Sequence, residues 1–89
     1  MKKNKAWKVI DSPKKWCKKY YSKTKYGEGS AGSILDDAVK FCAVGAYCVA
    51  YGVSISKAEQ ILEPLGINHR WNDNHTYKEV FAKLKALNI

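Results

Sequence analysis

Arginine is almost absent: of sixteen basic residues only Arg70 is one. Arginine is the usual bidentate reader of guanine edges, so base-specific readout is poorly supported. A long apolar run is missing too. The charge-free stretch 41–55 loses its apolar character at Ser54, short of the roughly 20 residues a membrane-crossing helix needs. No membrane partner is therefore expected. Met1-Lys2-Lys3-Asn4-Lys5 has the charge of a secretory leader, but Trp7-Lys8-Val9-Ile10-Asp11 interrupts the apolar segment that must follow, so secretion is not expected. Cysteine is sparse and odd in number: Cys17, Cys42 and Cys48 make no CxxC pair and no zinc-finger spacing. Free thiols of this kind are common core residues and suit a reducing cytoplasm. No stretch reads as a strand. The only candidate, 51–55, is too short to stand alone.

What is present is one small domain, 1–89, of 10.1 kDa, with 46% hydrophobic and 27% charged residues. Its net charge of +8 is unevenly placed. Residues 1–26 hold ten lysines against Asp11 alone, whereas 27–89 hold six basic and seven acidic residues. A near-neutral body thus carries a basic N-terminal third, of which residues 1–5 are expected to be flexible. Such a segment attracts phosphate backbones, anionic lipid or an acidic protein face. Trp7, Trp16, Tyr20, Tyr21 and Tyr26 lie in the same third. Lysine interleaved with aromatics is the composition that tracks and stacks on single-stranded nucleic acid. The candidate contacts are Lys8, Lys14, Lys15, Lys18, Lys19, Lys23, Lys25 and Tyr21. The plainer reading is surplus lysine for solubility, with the aromatics as the core face of short helices.

Apolar spacing predicts helices. A short one covers 5–10. Asp11-Ser12-Pro13 stops it and restarts another over 13–22, with Pro13 at the first helical position. A flexible glycine loop over 24–32 follows; it has no GxxxxGK[ST] and no preceding strand, so it is no phosphate loop. A central helix is expected over 33–51, capped by Ser33 and apolar on most sides, with Asp36 and Asp37 in its first turn. Gly45 in its middle costs up to about 1 kcal/mol relative to alanine, which implies close approach of another helix. Gly52 ends it. Ser54 or Ser56 caps a helix running to 62, and 67–75 is a polar connection. Thr76 and Glu79 form a capping box opening a last helix to 87. The expected fold is all-α, a single bundle of four or five helices with an apolar central helix.

No metal, cofactor or catalytic set is expected. Cys42 and Cys48 would stand about 120° apart around one helix, and His69 and His75 have no cysteine pair nearby. Cys17, flanked by lysines, is the one cysteine expected to be exposed and acidified, although packing is its plainer role. Trp71-Asn72-Asp73-Asn74-His75-Thr76 is the densest polar cluster. Asn72, Asp73 and His75 form a candidate loop site before a helix N-terminus, against a reading in which Asn72 and Asp73 make Asx-turns and Trp71 anchors the loop. A small helical bundle leaves little room for a small-molecule substrate.

Three motifs stand in order along the chain: Val9-Ile10-Asp11-Ser12-Pro13-Lys14-Lys15-Trp16-Cys17, then Ala38-Val39-Lys40-Phe41-Cys42-Ala43-Val44-Gly45-Ala46, then Trp71-Asn72-Asp73 followed by Thr76-Tyr77-Lys78-Glu79-Val80. In these motifs the chain resembles a family of small uncharacterised helical domains from phage and bacterial genomes. The resemblance spans about residues 6–86, and the lysine-dense stretch after Trp16 departs from it. The resemblance implies a helical domain in a phage or bacterial setting, hence a host bacterial cytoplasm, and no assigned chemistry. The resulting expectation is a non-catalytic protein that binds nucleic acid through its basic third. Alternatives are a phage inhibitor or adaptor gripping an acidic surface of a host or defence protein and, more remotely, a small enzyme using Cys17, Asp73 or His75.

Overall fold

A computed structural model describes residues 5–89 and shows a mixed α/β fold in place of the expected all-α bundle. The N-terminal residues 1–4, expected to be flexible, lie outside the described residues. Five α-helices, α1 (Ala6–Val9), α2 (Ala43–Tyr51), α3 (Ile55–Leu62), α4 (His69–Asp73) and α5 (Tyr77–Leu87), accompany a three-stranded antiparallel sheet, with α1 and α3 packed against α2 and α2 against the sheet. Its strands are β1 (Ser22–Thr24), β2 (Gly29–Ser30) and β3 (Ala38–Phe41), in the order β2-β1-β3.

The expected glycine loop is the turn of a hairpin. Gly27 N–H donates to the Thr24 carbonyl at 3.1 Å, and Thr24 N–H donates to the Glu28 carbonyl at 2.8 Å. Gly27 has φ +87°, the left-handed position that closes a three-residue hairpin loop. Thr24 Oγ1 accepts from Tyr26 and Glu28 N–H. The loop is thereby fully committed, and β2 returns beside β1.

The expected helix over 13–22 survives only as a 3-10 turn, Pro13–Lys15. Beyond it the chain runs along the other edge of β3. Trp16 bridges Phe41 in parallel, and Cys17 N–H donates to the Phe41 carbonyl at 3.1 Å. Lys19 takes φ +72°, which no right-handed helix can contain.

The expected helix over 33–51 divides at Cys42. Peptide groups of 38–41 pair with β1 in the register Ser22↔Phe41, Lys23↔Lys40, Thr24↔Ala38. Cys42, not Ser33, caps the helix that follows, its Sγ accepting from Gly45 N–H at 3.4 Å. Ser33 instead sits in a loop pinned by buried Ser22, whose Oγ donates to the Ser33 carbonyl and accepts from Leu35 N–H. Helix α2 is buried nearly throughout and occupies the centre of the molecule as its apolarity requires. The close approach at Gly45 exists, but its partner is the backbone carbonyl of Tyr21 rather than a helix. Gly52, at φ +66°, ends α2.

Ser54 caps α3 through Lys57 N–H at 3.2 Å. The expected polar connection 67–75 holds a fully buried Ile67 and all of α4, capped by Asn68. Ile10, Val44, Leu62, Ile67, Val80 and Leu84 are the largest apolar side chains sealed in one core. No helix among the described residues is long and apolar enough to cross a membrane.

The capping box at α5 forms as read from sequence: Thr76 Oγ1 accepts from Glu79 N–H at 3.2 Å, and Glu79 Oε1 accepts from Thr76 N–H at 2.9 Å. The Thr76 backbone bond holds the Glu79 carboxyl below its ordinary pKa. A lowered folded-state pKa stabilises above the unfolded value and loses that contribution as pH falls through the folded one. Thr76→Ala removes the hydroxyl cap and should cost about 1 kcal/mol, and because alanine keeps the backbone N–H that chiefly lowers the Glu79 carboxyl, that cost should differ little between neutral and acid pH. Urea midpoints of both chains at the two pH values measure this.

Candidate nucleic-acid interface

The basic third is largely unneutralised by the protein's own carboxylates. Among the described residues its one lysine–carboxylate pair is Lys15 with Asp11, at 2.9 Å and half-exposed. An exposed pair of this kind contributes little. Four other lysines lie over aromatic rings: Lys8 over Trp7 at 5.4 Å, Lys18 over Trp16 at 5.7 Å, Lys23 over Tyr20 at 6.0 Å and Lys25 over Tyr26 at 5.1 Å. In each case the ammonium head itself lies over the ring, a contact worth about 0.5–1 kcal/mol at an exposed site that leaves the positive charge in place.

These lysines do not form a single patch. Lys8 shares the Trp7 ring with Lys85 of α5. Lys14 and Lys15 stand exposed on the 3-10 turn. Trp16 packs against Tyr77, and Lys18 lies near enough to Glu79 to help lower its pKa. Lys23 and Lys25 belong to β1 and the hairpin tip. Lys19 is exposed, its N–H donating to Asp73 Oδ1 at 2.8 Å. Lys23 is directly opposed to Lys40 of β3. Sequence reading missed Lys40 because it lies outside the basic third; only strand register brings it in.

Tyr21 does not join the surface. It is buried, and its hydroxyl donates to Glu59 Oε2 at 2.9 Å. Burial, then that bond, push the phenol up to about 12. Tyr20 and Tyr26 hold the exposed positions instead.

Cys17 is neither exposed nor acidified. It is buried, with its thiol donating to the Tyr20 carbonyl at 3.4 Å. Burial pushes the thiol up to about 11, outweighing the opposing charges of Lys23 and Lys40. Cys42 and Cys48 are buried as well and raised to about 12 and 11 by the same cause. All three thiols are free. Iodoacetamide at pH about 8 should label Cys17 at least about 100-fold more slowly in the folded protein than in urea. Mass spectrometry of the labelled chain measures this, and comparable rates would refute it.

Asn72 is fully buried and joins three segments. Its Oδ1 accepts from Trp16 Nε1–H at 2.8 Å and Ala43 N–H at 2.9 Å. Its Nδ2 donates to the Cys17 carbonyl at 3.1 Å and Asp73 Oδ1 at 3.4 Å. These bonds engage the amide's full donor set and both acceptor directions. Asn72 thus reaches across the fold rather than closing an Asx-turn. Asp73 spends Oδ1 on Lys19 and Asn72, while His75 Nδ1 lies 2.6 Å from the Trp71 carbonyl with its ring over the Trp71 ring. The cluster expected as a loop site is the brace that holds Trp16, Cys17 and Lys19 in place.

No family model, curated protein or solved structure matches the chain.

Proposed function

We propose that this is a non-catalytic protein whose lysine-rich N-terminal third binds a polyanion, nucleic acid foremost. The observation that carries this reading is the shortage of internal partners. Of the lysines from Lys8 to Lys25, only Lys15 has a carboxylate within ion-pair distance among the described residues. Unpaired surface cations of one sign attract phosphate backbones, and the gain comes from released counterions. The three free, buried thiols support a reducing compartment such as the cytoplasm. Their raised pKa values leave them protonated at neutral pH and so support a binding role over thiol chemistry. The phage or bacterial setting implied by the sequence resemblance belongs to this proposal.

The test is affinity for single-stranded and duplex DNA and RNA between about 50 and 200 mM salt. Neutralising four or five phosphates predicts a fall of log K against log salt with a slope near −3 on single strands, at about 0.7 per phosphate. Binding that is absent or indifferent to salt overturns the reading, and leaves an acidic protein surface as the partner to seek.

A further inference from the structure

The outer face of the sheet differs from the rest of the basic surface. Residues directly opposed in neighbouring strands point to the same face. Lys23 is opposed on one side to Lys40 and on the other to Gly29. Ser22 and Thr24, on the opposite face, are buried. A side chain at Gly29 would project beside Lys23, but the Tyr20 ring occupies that space: an added Cβ would stand 2.5 Å from Tyr20 Cγ. Tyr20 therefore lies flat across the sheet where glycine leaves room, 38% exposed, with Lys23 Nζ 6.0 Å from its ring. Tyr26, 79% exposed, and Lys25 extend the surface at the hairpin tip.

Two features are met only in part by the fold, in which the Tyr20 ring covers edge Gly29 and takes one lysine head. Like charges directly opposed across strands destabilise a sheet, yet Lys23 and Lys40 face each other and neither has a carboxylate within ion-pair distance among the described residues. A half-exposed aromatic ring is also held against the outer face of the sheet instead of in the core. An anion between the lysines would relieve the first, and a planar base on the ring would use the second. Strands about 4.8 Å apart make the face roughly 10 Å wide, room for two or three nucleotides. A duplex keeps its bases stacked inside and offers the ring nothing.

We infer that this sheet face is a single-stranded nucleic-acid site, in which Tyr20 stacks a base while Lys23 and Lys40 hold the adjoining phosphates. The inference rests on the polyanion reading above and specifies its ligand and place.

Fluorescence anisotropy with a labelled oligothymidylate, the corresponding duplex and inorganic polyphosphate separates the two. The single strand should bind at least about tenfold more tightly than polyphosphate. Tyr20→Ala should weaken it about tenfold and leave polyphosphate binding unchanged, and Tyr20→Phe should retain it. Lys40→Gln should weaken the single strand while leaving the urea midpoint equal or higher, because it removes a repulsion. That opposite sign excludes a folding defect as the cause. If polyphosphate binds as tightly as the single strand, or if Tyr20→Ala and Lys40→Gln are both silent while Lys14→Gln and Lys18→Gln weaken binding, the sheet site is overturned and the polyanion reading stands. If none of the three ligands binds, both fall.

Discussion

Asn72→Ala should remove about 3–5 kcal/mol of stability, a large share of the roughly 4–13 kcal/mol that a domain of this size has. The substitution strands the Trp16 indole N–H, the Ala43 N–H and the Cys17 carbonyl, all of which Asn72 satisfies. Each buried group left without a partner costs about 1–3 kcal/mol, and water entering the gap recovers part of it. The damage is also topological. Ala43 opens α2, and Trp16 and Cys17 form the outer edge of the sheet, so one side chain ties the helix start to the strand system. Asn72→Asp keeps the acceptor for Trp16 and Ala43 but faces the Cys17 carbonyl and Asp73 with a carboxylate, and should also be destabilising. Asn74→Ala, two residues on and exposed, should stay within about 0.5 kcal/mol of the parent. Urea denaturation of the three variants decides the matter. A loss below about 1 kcal/mol for Asn72→Ala would show that the brace is dispensable.

Gly45→Ala reverses a common expectation. Glycine to alanine inside a helix ordinarily stabilises by about 1 kcal/mol through helix propensity. Here the new methyl would run into the Tyr21 carbonyl oxygen. That oxygen accepts from Cys42 N–H at 3.3 Å, so it is held in the junction between β1 and α2. Backbone cannot swing aside as a side-chain tip can. Separating the helix from the strand would also unseat the packing around Val44 and Ala46. A net loss of about 3 kcal/mol or more is expected, at the upper end for overpacking. Gly32→Ala is the control, because nothing lies within 4 Å of the added Cβ and its φ is not positive. It should be neutral or stabilising by up to about 1 kcal/mol through the unfolded chain. If both variants behaved alike in thermal or urea unfolding, the close contact at Gly45 would be refuted.

The two substitutions expose a limit of reading this chain one stretch at a time. Gly45 is visible in the sequence as a costly residue inside an apolar helix, and the inference of a close neighbour follows from that cost. The neighbour's identity does not, because Tyr21 reaches Gly45 only after β1 and β3 have paired. Asn72 likewise sits in a run of polar residues that resembles any surface turn. Its partners lie 29 to 56 residues away, beyond the range of a local pattern. The hairpin, by contrast, left a readable trace. Thr24-Lys25-Tyr26-Gly27-Glu28 has glycine where a three-residue hairpin loop wants a left-handed residue, and the strands escaped notice because they are two to four residues long.

Local chemistry alone determined where α2 ends, where α3 begins and stops, and where α5 begins. Ser54, Gly52, Gly66 and the Thr76–Glu79 box act through hydrogen bonds and φ angles within a few residues, and the buried stripe of α5 follows from its spacing. The excess of lysine at one end was equally plain. Tertiary pairing alone decided that 38–41 would be strand, that Cys42 would cap α2, that Tyr20 and not Tyr21 would face outward, and that Lys40 would stand opposite Lys23. The physical reason is that short strands carry no periodicity of their own. They form because backbone groups on a distant segment accept their hydrogen bonds, and that choice is made by the assembled core.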